Sequence, residues 1–178
     1  MATSTADLWD TIAEEAGRES ELWTAALRLR DDQQREAVFS LLGEGRYALG
    51  IETIYEGYLL HYGRTRLFAP EDQDAALLLG DYLYAHGLVR IEEVGSVEAV
   101  SDLAELIALC AYLRAEEITG DGPVWAATAA ALGRGELDTG RSSLRLDSDP
   151  NPLDRLARER AGDAAVDEAL ATHRYRLR

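Results

Sequence analysis

The chain has 178 residues, of which 47% are hydrophobic and 29% charged, with four prolines and a net charge of −15. That is enough apolar material for one domain with a sizeable core and too much for a disordered chain. An acidic body repels phosphate backbones, so nucleic-acid binding is not expected.

The charge is uneven. All 18 basic residues are arginine, and residues 141–178 hold 8 Arg against 7 acids, which leaves 10 − 26 = −16 for residues 1–140. A lone cysteine, Cys110, forms no intramolecular disulfide and fits a reducing compartment. The start of the chain shows neither a basic region nor an apolar run of the secretory type. Apolar runs such as "AALLLG" are too short to span a membrane. A cytoplasmic location is expected.

In chain order, Ser4 with Asp7 three residues on resembles a capping box. It predicts a first helix through "DLWDTIAEEAG" that carries Trp9 and puts Leu8 and Ile12 on one face, ending at Gly17. A second helix or pair of helices is predicted over "SELWTAALRLRDDQQREAVFSLLGEG", with Leu22, Ala26, Leu29, Val38, Leu41 and Leu42 as its apolar residues. Leu49, Ile51, Ile54, Tyr58 and Leu59 recur at helical spacing and predict a third helix from about Arg46 to Tyr62.

Pro70 followed by Glu71 and Asp72 reads as the start of a fourth helix, running to Val94. Gly95 and Ser96 separate it from a fifth, over about 97–118. "GDGP" is a turn, and "VWAATAAALG" is a short helix ended by Gly133. Residues 134–149 read as an irregular linker. Residues 150–173 read as a final helix capped by Asn151. Nothing alternates with period two for long, so the expected fold class is all-α, one helical domain over residues 1–178.

Two phrases carry a resemblance to a known family. "IETIYEGYLLHYG" and "LLGDYLYA" resemble the middle of the all-trans isoprenyl diphosphate synthases, in which a helix ends in I-E-x-I-H-x-x-x-L-I-H-D-D-x-x-D and a later one carries L-x-G-D-Y-L-L-A. Ile51, Glu52, Ile54, Leu59, Leu60 and His61 match the first phrase. Leu78, Gly80, Asp81, Tyr82, Leu83 and Ala85 match the second, and the likeness extends over residues 45–133. It implies a helical bundle like part of the isoprenoid synthase fold.

The departures matter as much as the matches. The family's paired acids bind Mg²⁺, which needs hard oxygen ligands, but in this register they fall on Tyr62 and Gly63, and the third acid on Arg66. A second register instead puts Glu52 and Glu56 at two acid positions. The family's second acidic motif has no counterpart, because Pro150 and Pro152 interrupt the stretch holding Asp147, Asp149 and Asp154.

The resemblance therefore implies a non-catalytic relative with no metal or cofactor, acting by association as a homodimer or beside a catalytic prenyl diphosphate synthase. An isoprenoid-binding or carrier role, and a Mg²⁺-dependent prenyltransferase using Glu52 and Glu56, are the alternatives. Glu52, Glu56, His61, Tyr62 and Asp81 are candidate remnants of the family's cavity. Leu77, Tyr82, Leu83, Tyr84 and Leu88 are candidate interface residues, since family members pair near "GDYL". Beyond the resemblance, no E-x-x-H pair, nucleophile elbow, "GxGxxG" or Walker phrase is present. Cys110 within "LIALCAYL" reads as an inert buried thiol.

Overall fold

The computed structural model describes residues 5–177, and the expected cap at Ser4 lies outside them. Helix makes up 75% of the structure, and the described residues contain no strand. Among the described residues nine α-helices follow one another: α1 (Thr5–Glu19), α2 (Glu21–Ala26), α3 (Ala48–Tyr62), α4 (Gln73–Val94), α5 (Val97–Ala115), α6 (Asp121–Ala130), α7 (Asp138–Asp147), α8 (Asn151–Ala161) and α9 (Asp163–Arg176). No helix among the described residues is long and apolar enough to cross a membrane.

The helix around which the others pack is α3. Every residue from Gly50 to Leu60 is buried, including Glu52, Thr53 and Glu56. A helix buried on all sides must be surrounded, and α4 is its closest partner. Gly50 and Gly57 of α3 face Gly87 and Gly80 of α4, a pairing that runs antiparallel. A Cβ on Gly87 would stand 2.4 Å from Ile54 Cγ1, and one on Gly57 would stand 2.9 Å from the Gly80 carbonyl oxygen. Glycine at a seven-residue interval on both helices thus lets the two backbones touch, a contact no larger side chain permits.

One core, built from α3, α5, α6, α8, α9 and the 38–42 segment, centres on Phe39, Tyr55, Tyr58 and Trp125. A second, beneath α1 and α2, gathers Trp9, Ile12, Trp23, Leu60, Leu67, Phe68, Leu79 and Leu83.

Several boundaries differ from the sequence reading. α1 runs past Gly17 to Glu19. The predicted second helical region supplies only α2. Residues 27–47 follow as extended chain with 3₁₀ turns at Arg30–Asp32, Ser40–Leu42 and Gly45–Tyr47. Leu29 and Leu41 are accordingly exposed, at 77 and 72%, and Leu22, within α2, is exposed at 66%. The extended chain is held from outside itself: Arg28 N–H donates to the Leu67 carbonyl, and Gln34 N–H to the Arg66 carbonyl.

α4 starts after Asp72, whose side chain accepts from Ala75 N–H, rather than at Pro70. α5 ends at Ala115, short of Ile118, and "GDGP" opens α6. The stretch expected to be irregular contains α7. The single C-terminal helix is two, broken at Gly162, whose φ of +88° is available to glycine. Asn151 lies inside α8, and its N–H is taken by the Asp149 side chain.

Candidate functional site

Two acids buried four residues apart on the innermost helix are the sharpest chemical feature of the chain. Glu52 and Glu56 are both 0% exposed. A carboxylate stripped of water must be paired and hydrogen-bonded, and both conditions are met by Arg66, also 0% exposed. Its Nε donates to Glu56 Oε2 at 2.9 Å and its Nη1 to Glu52 Oε2 at 2.5 Å. The remaining oxygens accept backbone N–H groups: Val38 and Ser40 at 3.0 Å each on Glu52 Oε1, Arg66 at 2.9 Å and Leu67 at 2.8 Å on Glu56 Oε1.

Arg66 also donates to the carbonyls of Glu36 and Glu52 at 3.0 Å, and its guanidinium lies over the rings of Trp9 and Tyr55. Burial alone pulls the guanidinium towards neutrality, but the two carboxylates outweigh it and hold it firmly protonated. The result is a clasp. It fastens the 36–40 and 66–68 segments, neither of them helical over its length, to the side of α3.

All four carboxylate oxygens that the second register would give to Mg²⁺ are therefore committed to an internal cation and to backbone donors. In the first register, Arg66 stands at the third acid position and acts as that internal cation. No group of three or more potential metal-ligating His, Cys, Asp or Glu residues occurs among the described residues.

The other candidate residues lie together on a different side of α3. His61 Nε2 approaches Asp81 Oδ1 to 3.2 Å, and its ring stacks on Tyr84 at 5.1 Å and lies near Tyr62. The ring covers Gly80, where a Cβ would stand 2.6 Å from Nε2. The glycine of "GDYL" thus serves close packing, and the aspartate beside it is exposed. Tyr62 leads on to Arg114, whose guanidinium stands 5.6 Å from its ring centre.

Arg114 belongs to a polar network that the sequence reading did not find. Its side chain donates to Tyr58 Oη at 2.9 and 3.1 Å and pairs with Asp121. Tyr58 donates to Asp121, His173 Nε2 lies 3.4 Å from the same carboxylate, and His173 Nδ1 meets Tyr55 Oη at 2.9 Å. Burial pushes the Asp121 carboxyl up, but His173, Tyr58 and Arg114 outweigh it and hold it well below the usual carboxylate range. Burial, and then the Asp121 charge, push the Tyr58 phenol far above its ordinary value. Both Tyr58 and His173 are 1% exposed and sit among Phe39, Tyr55 and Trp125. The arrangement joins α3, α5, α6 and α9 through their few polar groups. Cys110 is buried here and its thiol is pushed well up by that burial, which leaves it unreactive.

The candidate interface residues divide. Leu83 is 1% exposed and belongs to the core beneath α1, so it faces inward rather than towards a partner. Tyr82, Tyr84 and Leu88 are half-buried, with Tyr82 stacked on Trp23 and His86. Leu77 is 40% exposed, and Leu78 and Val89, on the open side of α4, are 60 and 53%.

A second uncharged surface is on the neighbouring helix. Val97, Ser101, Ala104, Ala108, Ala111 and Ala115 of α5 are all exposed and alternate at spacings of four and three, forming one straight line along the helix. Of its charged neighbours, Glu105 pairs with Arg145 and Arg114 with Asp121, while Glu98 and Glu116 flank the two ends of the line, exposed and outside any ion pair among the described residues. Asp102 is buried against Arg141.

Neither a family model, nor a curated protein, nor a solved structure matches this chain.

Proposed function

We propose that this is a non-catalytic helical protein that acts by association, pairing with a second copy through the outer face of α5. The observation that carries the reading is the uncharged line from Val97 to Ala115 on a chain whose net charge is −15. Apolar residues at 3-4 spacing on an exposed helix are the pattern of a coiled-coil seam. Alanine and serine at that seam allow the partner backbone to approach to the short end of the usual ~8–10 Å interaxial distance.

A two-fold antiparallel pairing sets Ala104 opposite Ala108, Ser101 opposite Ala111 and Val97 opposite Ala115, with Ile107 beside the axis. Among the described residues, six of the eleven large exposed hydrophobic residues, Leu77, Leu78, Val89, Val94, Val97 and Tyr112, lie on α4 and α5. This concentration fits an interface centred on that hairpin. The commitment of Glu52 and Glu56 to Arg66 counts against the Mg²⁺-dependent prenyltransferase alternative, since a metal would have to displace a buried guanidinium.

Light scattering tests the proposal. The wild type should show twice the 19.6 kDa chain mass. Ala108→Asp should shift it to the chain mass with the circular dichroism spectrum unchanged, because an unpaired charge buried at a seam costs several kcal/mol. A monomeric wild type, or a dimer indifferent to Ala108→Asp, refutes the α5 pairing. A dimer that gives way to a stable one-to-one complex on addition of a catalytic prenyl diphosphate synthase chain would replace the second copy with that partner.

A further inference from the structure

Most of the described arginines have a carboxylate partner. Among the described residues only Arg28, Arg64, Arg155 and Arg174 lie outside such pairs. Two of the four converge. Arg28 and Arg64 line one cleft of about 320 Å³, together with Arg176, Thr65, Gln34 and Asp32. The cleft lies where the C-terminal ends of α3 and α9 meet the extended segment after α2. It is held rigidly, with Arg64 N–H donating to the Arg176 carbonyl at 2.8 Å and Arg28 N–H to the Leu67 carbonyl at 2.9 Å.

The donors outnumber what the protein offers them. Arg28 Nη2 reaches only the Thr65 hydroxyl, at 3.1 Å, and its buried Nε has no hydrogen-bond partner. Arg176, whose side chain is 3% exposed, donates Nη1 to Gln34 Oε1 at 3.1 Å and Nη2 to Glu36 Oε2 at 3.2 Å, and its Nε is likewise buried without a partner. Arg64 lies over the exposed Tyr175 ring and donates to the Tyr175 carbonyl, with no carboxylate beside it. Among the described residues, Asp32, Glu36 and the carbonyl ends of two helices stand against the three guanidinium groups. A buried donor without a partner carries a desolvation penalty that an acceptor relieves, and a guanidinium fork matches a tetrahedral or planar oxyanion.

We infer that this cleft binds a small oxyanion of the phosphate class, held by Arg28 and Arg64 with the Arg176 guanidinium behind them; the Thr65 hydroxyl, which donates to the Phe68 carbonyl, only positions Arg28. The bound anion supplies the acceptors that the unpartnered guanidinium donors lack and ties α9 to the α2–α3 connection, so binding stiffens the C-terminal helix. The site shares no residue with the α5 seam, so it is independent of the pairing proposed above.

Inorganic phosphate and pyrophosphate, titrated into the full chain by calorimetry and thermal denaturation at constant ionic strength, test this. Saturable binding with a rise in Tm is expected, since a ligand of the native state stabilises it by mass action. Arg28→Gln with Arg64→Gln should weaken binding by at least tenfold, and Arg64→Gln alone by a smaller factor. Arg155→Gln, at an exposed unpaired arginine elsewhere, should leave it unchanged. A phosphate group carried on an organic molecule is distinguished from the free ion by repeating the titration with phosphoserine: tighter binding than inorganic phosphate identifies the carried group as the ligand, and equal or weaker binding identifies the free ion. No saturable binding of any of these probes overturns the inference. An effect reproduced by matched chloride, or lost equally in Arg155→Gln, also overturns it, because either shows only screening of a charged surface.

Discussion

Removing the guanidinium of Arg66 should be among the most destructive single changes in this protein. Arg66→Met preserves much of the volume and the contacts with Trp9 and Tyr55, but it leaves Glu52 and Glu56 at 0% exposure with no cation between them. Breaking a buried pair by deleting one partner costs about 3–5 kcal/mol, here with two carboxylates stranded instead of one. Against a total stability of roughly 5–15 kcal/mol this is a large fraction, and for a chain of this length it lowers Tm by about 6–20 °C.

The loss has a pH signature. With no counter-charge, burial favours the protonated carboxyl, so the variant takes up protons on folding that the wild type does not. Its deficit is therefore greatest near neutrality and shrinks as pH falls towards the ordinary carboxylate range. The triple variant Arg66→Met, Glu52→Gln, Glu56→Gln should recover much of the stability, because amides can still accept the backbone N–H groups of Val38, Ser40 and Leu67. Urea denaturation followed by circular dichroism, at a series of pH values, measures all three proteins. Arg66→Met losing less than about 1 kcal/mol, or a loss independent of pH, would refute the clasp as the fastening of these segments.

The helix contact at the centre of the fold gives a second test. Gly87→Val should destabilise by about 1–3 kcal/mol or more through overpacking against Ile54. Gly45→Ala should be close to neutral, since nothing lies within 4 Å of its Cβ position. Similar melting temperatures for the two would contradict the close α3–α4 approach. For Asp121 the folded carboxyl is held below its ordinary value, so the stability it contributes is present above the unfolded range and lost as pH falls through the folded one. Asp121→Asn should therefore be less stable near neutrality and show a shallower loss in acid, visible in Tm against pH. An unchanged acid limb would remove Asp121 from the stabilising network.

The sequence by itself determined the helical class, because helix-period spacing at Leu49, Ile51, Ile54, Tyr58 and Leu59 and glycines at chain turns are local signals. It also placed α3, α4 and α5 within a few residues. It did not reveal that residues 27–47 leave the helix. Their fate depends on Leu67 and Arg66 carbonyls and on the Glu52 carboxylate, all distant in sequence. Nor did it show that α7 forms, or that α8 and α9 are separate.

Of the candidate residues, Glu52 and Glu56 read from sequence as a possible cation site, and only the tertiary structure decided that the cation is Arg66. Two acids at i and i+4 inside an apolar helix already demanded an internal partner, so that signal was available. The partner's identity was not, because pairing at low dielectric is settled by which chain segment the packing brings within reach. The same reason turned Leu83 inward. Apolar periodicity says that a residue is to be buried, while the arrangement of neighbouring helices decides whether its own chain or another does the burying.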